Sequence, residues 1–193
     1  LAQNYNVDEA LFGVIAGPCH AEEVALERLS YLTLASSNLA LAEQMKEKLG
    51  CNYIQVSLSN DVIGVEYAAT LKNIYAIAVG IAHGLGYGDN FISVLISSAM
   101  REMKCFLKQI GKKKRNINNS AYLGDLLVTC YSIFSRNRML GNMIGKGYTV
   151  KAALMEMTMI AEGYYGSKTI YELSTSFNGE YPILQFVYQV LYE

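Results

Sequence analysis

Tryptophan is absent from the 193 residues, proline and histidine occur twice each, and cysteine four times. The four thiols, Cys19, Cys51, Cys105 and Cys130, form no C-x-x-C pair, and with two histidines they make no zinc framework, so no metal site is expected. Single thiols scattered through a chain of this size imply a reducing, cytoplasmic setting instead of a disulfide scaffold. Charge is also scarce, at 17% Asp, Glu, Lys and Arg, where about a quarter is usual. Sixteen basic residues against 17 acidic leave a net charge of −1, which offers no footprint for nucleic acid or an anionic membrane. An apolar share of 52% excludes disorder. So little charge on so apolar a chain implies surface covered by another domain or in an oligomer; a homodimer fits. The opening LAQNYNVDEALFGVIAG has no basic stretch before a long apolar run, so it does not read as a secretory leader. It also lacks an initiator Met, as a fragment would.

The first third alternates strand and helix signals. Leu11–Ala16 is a short apolar run ended by Gly17-Pro18, and Ala21–Glu27 allows one or two helical turns. Ser30–Ala35 and Asn52–Ser57 alternate as strands. Between them Asn38 suits the N-cap of a helix Leu39–Leu49, with Leu41, Met45 and Leu49 on one face and Gly50 closing it. From Asn60 onward strand signals nearly vanish. Helices are expected at Asp61–Gly84, Phe91–Ile110 (capped by Asn90), Ala121–Thr129, Arg138–Ile144, Thr149–Met157, Ile160–Thr175 and Pro182–Leu191. The fold class is therefore mainly α: residues 1–58 form an α/β piece and residues 59–193 an all-helical domain. The apolar run Val62–Ala82 is long enough to suggest a membrane span, but Glu66 and Lys72 each cost a few kcal/mol at a bilayer centre. A buried central helix is the better reading.

Lys72 is the most informative position. It is one of two charged side chains in that run, and an ammonium in such surroundings needs a compensating carboxylate or anion. The same surroundings suit a lysine used as general acid or base, although a lysine that snorkels to the surface is the bland alternative. Glu66 is six positions earlier, about 240° around the helix, and points elsewhere. Asp125, alone within Leu123-Gly-Asp-Leu-Leu-Val, is either a helix N-cap or a buried acid paired with a buried base, for which Lys72 is the candidate. Ser135-Arg136-Asn137-Arg138 sets hydroxyl, guanidinium and amide donors side by side before a helix, an arrangement suited to a phosphate or to a plain capped turn. Cys19 and His20 adjoin on a turn and point apart, which disfavours a Cys–His nucleophile pair. His83 and the four cysteines read as packing residues, and Lys112–Arg115 as a solvated face ending a helix.

In order along the chain, Gly17–Ala21 (G-P-C-H-A), Gly64–Asn73 (G-V-E-x-A-x-x-L-K-N), Gly86–Asn90 (G-Y-G-D-N), Leu123–Cys130 (L-G-D-L-x-x-T-C), Ser135–Arg138 (S-R-N-R) and Glu162–Lys168 (E-G-x-x-x-x-K) resemble NAD(P)-dependent glycerol-3-phosphate dehydrogenase of the bacterial type. The resemblance runs from about Phe12 to Glu193. It implies a 6-phosphogluconate dehydrogenase C-terminal-like helical domain for substrate binding and dimerisation, preceded by the last α/β elements of a Rossmann domain. It implies reversible hydride transfer between NAD or NADP and C2 of sn-glycerol 3-phosphate, giving dihydroxyacetone phosphate, in support of phospholipid synthesis. By the same resemblance Lys72 is the proton acceptor and Asp125 orients it and contacts substrate. Gly17, Cys19, Asn73, Thr129, Ser135, Arg136 and Asn137 bind substrate, and Ala21, Arg136, Ile160 and Glu162 face the cofactor.

Two features depart from the family pattern. No G-x-G-x-x-G turn for a coenzyme pyrophosphate is present, and the second substrate-binding lysine of the family would lie upstream of Leu1. The chain is thus expected to be the tail of a cofactor domain plus a whole helical domain, inactive alone. Ile96-Ser97-Ser98-Ala99 also stands where the family usually shows [TA]-R-G. The alternatives are a related 6-phosphogluconate dehydrogenase-like enzyme acting on another small keto or hydroxy acid, and a non-catalytic helical dimerisation module.

Overall fold

A computed structural model describes residues 7–111 and 113–193. A 3-10 turn at Glu9–Leu11 leads into β1 (Gly13–Ala16), followed by a short helix α1 (Ala21–Ala25), β2 (Ser30–Ser36), α2 (Leu39–Leu49) and β3 (Ile54–Ser59). The three strands form one sheet in the order β1-β2-β3. β1 runs antiparallel to β2, with Gly13 opposite Ser36 and Ala16 opposite Thr33. β2 and β3 are parallel, with Ser30 opposite Ile54, and α2 supplies the crossover that a parallel pair requires. Asn38 caps α2 as expected, its side chain accepting from the Leu41 N–H at 3.2 Å. β3 starts two residues later than the alternation suggested. Cys51 and Ile54 exchange backbone hydrogen bonds of 3.1 and 3.2 Å, which spends Asn52 and Tyr53 on a turn.

The helical part comprises α3 (Val62–Gly84), α4 (Asp89–Ile110), α5 (Asp125–Tyr131), α6 (Arg136–Gly145), α7 (Val150–Glu156), α8 (Glu162–Ser174) and α9 (Pro182–Tyr192). α3 is long and apolar enough to cross a bilayer. Here it is the core of the bundle: every residue from Asn73 to Ala82 is buried, and α4, α5, α6, α8, α9 and β1 all pack on it. A helix apolar on all sides is stable in water only under such cover.

The α3–α6 crossing is made backbone to backbone. A Cβ added at Gly80 or Gly84 would strike the α6 backbone at Arg138 or Asn142, and one at Gly141 or Gly145 would strike the Ile77 or Ile81 carbonyl of α3. Glycines four apart on both helices therefore interlock, an approach no larger residue allows. At the far end of α4, the buried Glu102 carboxylate accepts the N–H groups of Ile183 (2.9 Å) and Leu184 (3.0 Å) and fastens the start of α9. Burial pushes the Glu102 carboxyl above the ordinary range, with those two donors pulling the other way.

Arg115 corrects the expectation of a solvated basic face. Its Nε and Nη2 donate to Asp61 at 2.6 and 3.2 Å, and its Nη1 donates to the Leu107 and Gly111 carbonyls. Lys113 reaches the Asn60 carbonyl at 2.6 Å, and Lys112 lies outside the described residues. Asp61 also caps α3 through the Gly64 N–H and accepts the Tyr122 hydroxyl at 2.7 Å. The basic run hides this role because the partner of Arg115 is 54 positions away. Burial alone would raise the Asp61 carboxyl. Hydrogen bonds from Arg115 and Tyr122, the guanidinium charge and the Gly64 N–H outweigh it and hold the group below the usual carboxylate range.

Arg115→Met should cost about 3 kcal/mol in denaturant unfolding at pH 7, because it leaves Asp61 charged and unpaired. A depressed folded-state carboxyl stabilises fully above its unfolded pKa, and that contribution is lost as pH falls through the folded value. The gap between wild type and variant should therefore narrow on acidification; a constant gap would contradict the pairing. Gly141→Ala is the second test. Helix propensity alone would favour alanine by about 1 kcal/mol, whereas overpacking against α3 should make the variant less stable by about 2 kcal/mol or more. A raised melting temperature would refute the crossing.

Candidate active site

Lys72 and Asp125, each isolated in an apolar stretch, meet. Lys72 Nζ lies 2.5 Å from Asp125 Oδ1, with the lysine side chain 19% exposed and the aspartate 2%. The other carboxylate oxygen, Oδ2, accepts the Gly17 N–H at 3.0 Å. Gly17 has φ +128°, and a Cβ there would sit 2.6 Å from the Tyr31 carbonyl oxygen, so the turn after β1 admits only glycine. Thr129 donates its hydroxyl to the Asp125 carbonyl at 2.6 Å. One π-helical turn, Ser120–Gly124, leads directly into Asp125. Such wide turns are frequent at functional sites because they re-aim the residue that follows. The Ser120 hydroxyl pairs with Thr33 (3.3 Å), and Thr33 pairs with Ser57 (3.0 Å), which ties this turn to the sheet. Asp125 is thus the buried acid of the two alternatives, its carboxylate held by α3 and by the turn after β1. Glu66 is exposed and takes no part.

The second cluster stands at the start of α6. Ser135 is its N-cap, its oxygen accepting the Arg138 N–H at 3.3 Å, so the helix begins at Arg136 and not at Arg138 as the sequence suggested. Asn137 is buried, and its Oδ1 accepts the Gly163 N–H at 2.8 Å, joining α6 to α8. Arg136 Nη2 lies 3.7 Å from Glu162 Oε1, with side chains 38% and 65% exposed, and Asn73 Nδ2 donates to Glu162 Oε2 at 3.2 Å. At this exposure the Arg136–Glu162 pair adds little stability. Its significance is that a guanidinium is held over an opening with a partner that can be exchanged.

The opening is a cavity of about 840 Å³. Gly17, Cys19, Ala21, Lys72, Asn73, Asp125, Thr129, Ser135, Arg136, Asn137 and Glu162 all line it, so one site collects eleven of the twelve candidate residues. Ile160 is 65% exposed and stands outside this lining. The apolar rim is not legible in the sequence. Phe134 precedes the S-R-N segment, and Met159 in the α7–α8 loop places its sulfur 3.5 Å from Arg136 Nη1. Neither shows a periodicity or a motif. Burial raises the Cys19 thiol, with a hydrogen bond from Ser30 opposing and Asp125 adding to the rise, so it stays protonated beside the carboxylate. Among the described residues no cluster of His, Cys, Asp or Glu could hold a metal. The expectation that His83 and all four cysteines simply pack is corrected in part. Cys130 is buried, but Cys51 and Cys105 are exposed, and the exposed His83 pairs through Nδ1 with Asn142 at 3.0 Å.

The fold that builds this site, a helical bundle meeting part of a sheet, is shared with dehydrogenase structures. It superposes with a TM-score of 0.90 and 34% identity on glycerol-3-phosphate dehydrogenase from Coxiella burnetii, covering 93% of this chain and 55% of that one. The corresponding Dunaliella salina structure gives a TM-score of 0.89 at 25% identity, with 98% of this chain and 34% of that one covered. Residues 61–193 match the family described as NAD-dependent glycerol-3-phosphate dehydrogenase C-terminus, and the chain belongs to that family. Glycerol-3-phosphate dehydrogenase [NAD(P)+] of Pelodictyon phaeoclathratiforme is 41% identical over 177 residues, which are 92% of this chain and 53% of the relative. The chain spans about half the length of the curated relatives it matches.

Proposed function

We propose that this chain is the C-terminal part of an NAD(P)-dependent glycerol-3-phosphate dehydrogenase, interconverting sn-glycerol 3-phosphate and dihydroxyacetone phosphate. The observation that carries the reading is the Lys72–Asp125 pair in the lining of a cavity that Arg136, at the N-terminus of α6, also lines. Residues 1–58 are then the end of a cofactor domain, and residues 59–193 a substrate and dimerisation domain whose apolar surface is shared in a homodimer. Four free cysteines, two of them exposed, suit the cytoplasm. Supply of glycerol 3-phosphate for phospholipid synthesis is the expected role.

The residues present suit the nicotinamide end of the coenzyme. Ala21 lines the cavity together with Gly17 and Cys19, and Arg136 and Glu162 form an exposed pair in the same lining. Ala21, Arg136 and Glu162 would hold it, with Ile160 nearby in the loop before α8. Its pyrophosphate would rest on a glycine-rich turn that these 193 residues do not contain. When bound, the nicotinamide supplies or accepts the hydride at C2.

Oxidation of the C2 hydroxyl requires loss of its proton as the hydride departs, and Lys72 Nζ is the atom in reach of the cavity to accept it. In the reverse direction the Lys72 ammonium returns that proton to the carbonyl oxygen. Asp125 holds Nζ at a fixed point, because its second oxygen is anchored to the Gly17 N–H and cannot swing away. The phosphate is the substrate's handle. Arg136 exchanges Glu162 for it, with the Ser135 hydroxyl and the Asn73 and Asn137 amides close by.

The full-length protein should reduce dihydroxyacetone phosphate with NADH or NADPH. Turnover of an unphosphorylated keto acid in its place would contradict the substrate assignment. Arg136→Ala should raise KM for dihydroxyacetone phosphate by about 10- to 100-fold, the range for losing a hydrogen bond to a charged group. An unchanged KM would remove Arg136 from the phosphate site.

A further inference from the structure

We propose that His20, beside the segment that carries Arg136, is an additional ligand of the substrate phosphate, donating from its Nε2; this rests on the function proposed above. His20 lines the cavity, yet its Nε2 is buried and has no hydrogen-bond partner among the described residues. A buried donor without a partner is costly, and a native fold keeps one where something else completes it. The backbone of His20 is not free to withdraw it, because its carbonyl accepts the N–H groups of Glu23 (3.1 Å) and Val24 (3.0 Å).

What completes the ring is indicated by its neighbours. The His20 imidazole faces the Phe134 ring at a centroid distance of 6.4 Å and an angle of 54°. Phe134 immediately precedes Ser135 and Arg136, so the His20 ring stands beside the phosphate-binding segment, and both line the same cavity. Charge in the cavity argues for the same ligand. Lys72 is committed to Asp125, and Glu22, Glu156 and Glu162 also line the wall, which leaves Arg136 as the Lys or Arg side chain available to an anion among the described residues of the lining. A phosphate presents three acceptor oxygens, and a single guanidinium fork satisfies two of them. The His20 imidazole N–H is the group that supplies the third contact. Neither Lys72 nor Asp125 is needed for this contact, so it contributes to binding and not to the proton transfer.

Full-length His20→Phe keeps a ring of similar shape and removes the nitrogen, and His20→Gln returns an amide donor near the Nε2 position. His20→Phe should raise both KM for dihydroxyacetone phosphate and the inhibition constant of inorganic phosphate by about 10-fold or more, with kcat and KM for the coenzyme little changed. His20→Gln should recover most of that loss. In ¹⁵N-histidine spectra, the His20 signal, assigned by its absence from His20→Phe, should move on titration with inorganic phosphate. Unchanged KM and phosphate inhibition in His20→Phe, or a change confined to the coenzyme KM, would overturn the inference. Arg136→Ala is run alongside. A raised KM there with none in His20→Phe removes only His20, whereas no change in either removes the phosphate site itself.

Discussion

The site depends on how closely α6 lies against α3. Glycines at 80, 84, 141 and 145 let the two backbones touch, and Gly163 brings α8 against the same helix, since a Cβ there would lie 2.7 Å from the Asn73 carbonyl oxygen. Lys72 and Asn73 project from α3, Arg136 and Asn137 from α6, and Glu162 from α8. Contacts with no side chain in between have no rotamers to relax, so the spacing of these groups is set by backbone geometry. Positioning of this kind is what a reaction between a fixed acid–base group and an anchored substrate requires.

Across this rigid spine the Lys72–Asp125 pair joins the two halves of the fold. Asp125 takes a proton donor from α3 and another from the turn after β1, so one carboxylate ties the bundle to the sheet. Two charges this deep must be paired and hydrogen-bonded, because removing either partner leaves the other stranded. The cavity opens at that junction. The groups that hold the fold together there are also the groups exposed to whatever fills it.

Much of this was legible from sequence because the relevant signals were local or rare. A lysine and an aspartate alone in apolar stretches announce themselves, and Asn38 announces a cap by its place before a periodic run. The central helix was readable as core because it is apolar on every side. Long-range partners left no such trace. Arg115 looked like one basic residue among several until Asp61, 54 positions earlier, took both of its nitrogens. Glycines four apart read as weak points in a helix, yet they are the contact surface. Ser135 reads in the sequence as a phosphate donor, while its oxygen also caps α6, so the helix starts two residues earlier than its pattern suggests. His20 stood beside Cys19 in the sequence and suggested a nucleophile pair to be dismissed. Only its place against Phe134 makes it a candidate ligand.

The claim at the centre is that Lys72 moves the proton and leaves binding to other residues. Full-length Lys72→Ala, assayed for turnover and for dihydroxyacetone phosphate and coenzyme binding by calorimetry, tests it most directly. The account predicts that kcat falls by a factor of about 10² or more, while both ligands still bind and the cooperative unfolding transition is retained. A folded variant with wild-type kcat would contradict it.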